Sequence, residues 1–173
     1  MTHSTPMLFL TVLASAAAGC GGSDMTIASP CGVGVTVHAL PATATTYTTT
    51  SVTQLQETCG LGLTPDLVMT DRSLTYDANA KILTLNAANG SPMGSGTPSC
   101  NVATLTQSDV LNDGTCEYSR ALTVKWTSTG DTTFQIAFQE THSNFKSVAG
   151  MNCTPPAGAT CTISFNAQLA KKN

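Results

Sequence analysis

Apolar and polar residues alternate with a period of two along much of this chain, the spacing that sends successive side chains to opposite faces of a β-strand. Val33, Val35 and Val37 alternate with Gly34, Thr36 and His38. Leu74 and Tyr76 run into Asp77-Ala78-Asn79-Ala80, after which Lys81–Leu85 resumes the alternation. This predicts a hairpin turned by Asp77 and Asn79, because both tolerate a left-handed backbone and bond their own main chain. Asn89-Gly90 predicts a second turn. Ser91–Ser99, rich in Gly, Pro and Ser, reads as a loop.

A second hairpin is written more strongly. Leu122, Val124 and Trp126 share one strand face, Phe134, Ile136 and Phe138 another, and Ser128–Asp131 lies between them. The predicted register sets Trp126 against Phe134, Val124 against Ile136, Leu122 against Phe138 and Arg120 against Glu140. A slip of one residue would send an apolar row into water. In the last strand Cys161, Ile163, Phe165, Ala167 and Leu169 face inward, and Thr162, Ser164, Asn166 and Gln168 face outward. Thr43–Thr53 reads as either a strand with a polar face or a surface linker, with the strand favoured. No helical periodicity of useful length appears beyond the first twenty residues. Short strands punctuated by Gly, Pro and Asn predict an all-β fold, an antiparallel β-sandwich.

Composition fits a polar-surfaced domain. Thr occurs 30 times in the 173 residues, while only 10% of residues are charged and the net charge is −3. Threonine favours strands and solvates a sheet face without charge. The positive charges (Arg72, Lys81, Arg120, Lys125, Lys146, Lys171 and Lys172) are dispersed and form no basic patch interleaved with aromatics. Nucleic acid is therefore not an expected partner.

The N-terminus follows a different pattern. Met7–Ala18 is an apolar run of 12 residues, too short to span a bilayer, which takes about 20, but suited to a secretory signal. It ends in Ala17-Ala18-Gly19-Cys20. These residues resemble the lipobox of bacterial lipoprotein precursors, in which a peptidase cuts before the cysteine and the new terminus is acylated. The resemblance covers residues 1–20 only. It implies a signal peptide over 1–19, a lipidated Cys20 with a flexible leash over 20–30, and a single domain over 31–173. It also implies a membrane partner reached through the lipid. Gly21 stands where an Asp marks inner-membrane retention in enteric lipoproteins, so the destination implied is the outer membrane or cell surface. The rival reading is an ordinary signal peptide cut near Ala18, with Cys20 left as a thiol or a half-cystine.

Seven cysteines, at 20, 31, 59, 100, 116, 153 and 161, leave one unpaired in an exported protein. Lipidation of Cys20 leaves six, which can all pair. Six allow 15 connectivities; locality favours Cys31–Cys59, Cys100–Cys116 and Cys153–Cys161. Metal-binding spacings of the Cys-x₂-Cys type are absent, and an exported chain meets an oxidising compartment, so no metal is expected.

Catalytic motifs are equally absent, and no cofactor or catalytic residue is predicted. Asp109-Val-Leu-Asn112-Asp113-Gly114 lacks the oxygen spacing of a calcium loop and reads as a turn. Glu140 and His142 share a strand face and read as a charged cluster closing one end of the fold. Trp126, which in a binding module can stack on a sugar, reads here as core. Tyr47 and Tyr118 are the remaining aromatic candidates, and His38 reads as a solvated strand residue. The expected function is a lipid-anchored envelope protein with a non-catalytic interaction or structural role. A module binding a glycan or a small ligand is the alternative, followed by an extracytoplasmic hydrolase.

Overall fold

The computed structural model describes residues 31, 32, 34–156 and 159–173. The expected signal segment 1–19, the expected leash 20–30 with Cys20, and Val33 lie outside the described residues.

Eight strands follow in order: β1 Thr45–Glu57, β2 Asp71–Asp77, β3 Ile82–Ala87, β4 Pro92–Gly96, β5 Val102–Asn112, β6 Cys116–Gly130, β7 Thr133–Ser147 and β8 Cys161–Lys171. A single helical turn, α1 (Pro65–Val68), sits between β1 and β2. Each strand pairs antiparallel with its sequence neighbours, and β1 also pairs with β8, which closes the sheet into a barrel. The all-β, antiparallel, disulfide-stapled fold is as expected, but its single sheet curls on itself instead of forming two layers. Alternation does not distinguish the two, because either arrangement leaves each strand with one buried and one wet face.

Eight strands make a barrel just wide enough for side chains to fill. Leu74, Leu83, Leu85, Leu105, Val124, Trp126, Phe134, Ile136, Phe165 and Leu169 all bury into one core. Each such side chain stabilises by about 1.5–3 kcal/mol relative to exposure. The edge of Tyr47 meets Phe134 with ring centroids 4.7 Å apart, and Phe138 stacks on Phe165 at 4.5 Å.

The β2–β3 hairpin forms as predicted, with Asp77 opposite Ile82 and Asp77 Oδ1 accepting from the N–H groups of Asn79 and Ala80. At the next turn Asn89 Oδ1 accepts from Ser91 N–H, and Gly90 takes φ +83°. Thr43–Thr53 falls largely within β1, and β8 carries the predicted inward row from Cys161 to Leu169.

Four expectations are corrected. The β6–β7 register is displaced by two residues: Trp126 faces Ile136, Val124 faces Phe138, Leu122 faces Glu140 and Arg120 faces His142. A two-residue slip keeps every side chain on its face, so alternation cannot detect it. The turn is tighter than expected, with Gly130 already opposite Thr133. Second, Ser91–Ser99 is not all loop, because it contains β4. That strand lies so close to β5 that a Cβ on Gly96 would come 2.1 Å from the carbonyl oxygen of Thr104. Third, the described part of the Val33–Val37 stretch is not a strand; Gly34 takes φ +80°, and Val35 and Val37 are exposed.

Fourth, all six cysteines pair, but none with its local neighbour. Cys31–Cys59, Cys100–Cys116 and Cys153–Cys161 are replaced by Cys31–Cys100, Cys59–Cys161 and Cys116–Cys153. For Cys59–Cys161, barrel closure is the cause. It lays the end of β1 beside the start of β8 and so brings Cys59 to Cys161 across 102 residues.

Candidate functional site

β1 and β5–β8 are 11 to 15 residues long, whereas β2–β4 are 5 to 7. The long strands therefore overshoot the short ones at the end that holds the β5–β6 turn. On the inner face of this tall wall the apolar alternation gives way to ionisable groups. Two cross-strand rows carry them. One runs Asp109, Arg120, His142, Cys161, each opposite the next, and continues through the disulfide to Cys59. The row beneath runs Gln107, Leu122, Glu140, Ile163, Glu57.

The ionisable groups in these rows pair along and across strands. Arg120 donates from Nε and Nη2 to the two oxygens of Asp109, at 2.8 and 2.6 Å. His142 Nε2 lies 2.5 Å from Glu140 Oε1, and both side chains are largely buried. Tyr118 covers the His142 ring with centroids 4.7 Å apart. The Arg120 hydrogen bonds hold the Asp109 carboxyl below the usual carboxylate range, and the same bonds raise Arg120. Burial pushes the Tyr118 phenol up. A ring nitrogen of His142 and the sulfurs of Cys59 and Cys161 all lie within 4.8 Å of one another.

Two groups near this end remain unsatisfied. Glu57 Oε1 is buried with no hydrogen-bond partner, and so is Arg72 Nε. Arg72 is buried by the same inward alternation that buries Leu74; it gives Nη1 to the Asp71 carbonyl and Nη2 to that of Val68. Desolvation lowers its affinity for the proton. Neither residue is singled out by the sequence, where a lone Arg or Glu at a strand end looks like surface. The available signal is parity: Arg72 falls two positions before Leu74.

A second candidate lies outside the barrel. Across β6, β7, β8 and β1 the outward side chains line two depressions of about 410 and 570 Å³. They share Lys125, Ala137 and Asn166, so they form one groove. Its walls mix amides and hydroxyls, among them Thr53, Gln54, Gln135, Gln139, Ser164 and Gln168, with apolar residues such as Leu55 and Phe138. Irregularities in β1 shift its register against β8 between Thr53 and Gln56, and Gln54 takes φ +56°. Asn166 Nδ2 donates to Gln54 Oε1 at 2.5 Å, which fixes both amides at the groove rim.

The other sequence candidates scatter. Trp126 and Tyr47 belong to the core. His38 is not on a strand; its N–H goes to Asn101 Oδ1, and its Nδ1 lies 3.3 Å from Asp131, at the opposite end of the barrel. Asn112 and Asp113 form the expected turn, accepting from the backbone of Gly114, Thr115 and Cys116. Cys20 lies outside the described residues. Set against known proteins, the chain matches no family model, no curated protein and no solved structure.

Proposed function

We propose that this chain is an exported, lipid-anchored envelope protein whose barrel is a non-catalytic binding module for a polyhydroxylated ligand of the glycan class. The anchor is Cys20, on the lipobox resemblance; the binding surface is the outer groove. The single observation that carries the binding role is the groove's lining. It offers many neutral donors and acceptors on a rigid sheet with a small residue, Ala137, along its floor, and Lys125 as its one lining charge. Neutral hydroxyl-rich ligands are recognised by such paired donors and acceptors, while a highly charged ligand needs a cluster of opposite charges, and the groove offers only Lys125.

The polar rows inside the barrel favour a structural role over a catalytic one. Asp109 is already engaged by Arg120, and Glu140 by His142. Among the described residues, no serine or threonine hydroxyl is bonded to His142 as an activated nucleophile requires.

The tether and the groove fit together. Cys31 is bonded to Cys100 just before β5, at the end that also holds the β6–β7 turn. Residues 21–30 separate it from Cys20, a reach of at most about 40 Å when extended. The leash thus joins the barrel at its β6–β7 end, and the groove runs up the side of the barrel.

Calorimetric titration of the detergent-solubilised protein with fragments of envelope polysaccharide tests the binding role. Saturable binding abolished by Lys125→Ala with Gln139→Ala is expected. Equal binding by the double variant would overturn the groove reading. Radiolabelled palmitate tests the anchor: incorporation into the wild type and none into Cys20→Ser is the expected result, and no incorporation into either overturns it.

A further inference from the structure

We propose that reduction of the Cys59–Cys161 disulfide converts this corner of the barrel into a site for a thiophilic metal ion such as Zn²⁺. Cys59, Cys161 and His142 are its ligands, and Glu140 supports them. The proposal stands independently of the groove and of the lipid anchor.

Geometry carries it. The three potential ligand atoms already lie within 4.8 Å of one another, the one such grouping among the described residues. Two of the ligands sit on paired strands at opposed positions, His142 on β7 and Cys161 on β8, so the ladder holds them. Cys161 is buried and stays in place. Cys59 is half-buried, lies beyond the end of β1 and precedes Gly60 at φ +75°, so the loop can shift. Tetrahedral zinc holds two thiolates at about 2.3 Å each, hence about 3.8 Å apart. Moving Cys59 by a rotamer change and a small loop displacement supplies that separation.

The surroundings suit a metal. His142 is fixed on one side by Tyr118 and on the other by Glu140. A metal taking Nδ1 leaves the Nε2–Glu140 bond in place, the carboxylate–histidine–metal arrangement that orients a ligand ring. A metal taking Nε2 meets Glu140 itself as a fourth ligand. Two thiolates neutralise a divalent ion, and the nearby Arg120 charge is already matched by Asp109.

The chemistry balances with a dithiol as reductant. One thiolate of the dithiol attacks the more accessible Cys59 sulfur and releases Cys161 as a thiolate. The second thiol then displaces Cys59, and the dithiol leaves as its cyclic disulfide. Two electrons pass to the protein, and the two cysteine thiols that result lose their protons to solvent when the metal binds.

Cobalt titration of the full-length protein, treated with excess dithiol and then freed of it without air, tests the site. A thiolate-to-cobalt charge-transfer band is expected at one ion per chain, together with none before reduction. The Cys116→Ser/Cys153→Ser double variant keeps that band, whereas Cys59→Ser/Cys161→Ser and His142→Ala lose it. Glu140→Gln weakens binding about 10–100-fold, as loss of an outer-shell carboxylate does. Circular dichroism runs alongside. Unchanged cobalt binding in Cys59→Ser/Cys161→Ser or in His142→Ala overturns the proposal. So does a reduced protein that loses its β signature and does not regain it with Zn²⁺.

Discussion

Asp109 and Arg120 stand opposite each other across β5 and β6 and meet through two hydrogen bonds on the inner wall of the barrel. The carboxyl is held low by those bonds, so its stabilising effect is complete above its unfolded value of about 4 and is lost as pH falls through the lower folded value. Asp109→Asn should cost about 1–2 kcal/mol at neutral pH, because the Arg120 charge keeps its place with a weaker partner. Urea midpoints should also fall less steeply in this variant than in the wild type as pH drops from about 5 to 2. A parallel fall in the two proteins would remove Asp109 from the acid response.

The disulfides staple elements distant in sequence, and their loops differ in length. Cys59–Cys161 closes 102 residues and Cys116–Cys153 closes 37. Loop-closure entropy assigns about 4–5 kcal/mol to the first and about 3.5–4 kcal/mol to the second. Replacing each pair by serine should lower the thermal midpoint in that order. Non-reducing peptide mapping should recover the Cys59–Cys161 peptides linked, and recovery of Cys153 linked to Cys161 would refute this topology.

Gly96 and Gly90 are required for different reasons. At Gly96 an added Cβ meets the Thr104 carbonyl oxygen at 2.1 Å, so β4 has to leave β5. At Gly90 nothing lies within 4 Å of an added Cβ, and the cost is the positive φ alone. Gly96→Ala should therefore cost about 3 kcal/mol or more, and Gly90→Ala about 1 kcal/mol, in denaturant titrations.

Trp126 is 2% exposed, and its Nε1 finds no hydrogen-bond partner. Its emission should be blue-shifted and almost unquenched by acrylamide. Phe134, whose ring centroid lies 6.1 Å from that of Trp126, shields it. Phe134→Ala should cost about 3–5 kcal/mol and open the indole to quencher. Trp126→Phe should be far milder, since it also removes a buried donor that nothing accepts.

Strands with strict alternation were legible in the sequence because burial of one face acts on every second residue. β8 and the β6–β7 pair are of this kind. Legibility ended where a feature depends on residues far apart. Alternation sets which face a side chain takes but is blind to a shift of two, so it placed Trp126 opposite Phe134 instead of Ile136. β4 was hidden because its glycines, which allow the approach to β5, have the composition of a loop. Arg120 was expected to meet Glu140 across one hairpin, yet its partner comes from the strand on its other side. The row from Asp109 to Cys161 requires four strands in register. No local pattern announces it.

The ladder between β1 and β8 carries a kinetic consequence. It joins positions as far apart as Tyr47 and Lys171, so nearly the whole domain must be gathered before it can zip. Chains dominated by such distant pairings fold in roughly milliseconds to seconds, well behind helical bundles of similar stability. Until that seam shuts, both terminal strands offer bare backbone to any neighbouring copy. The hazardous interval for this protein is thus its maturation, when crowding favours sticking between molecules.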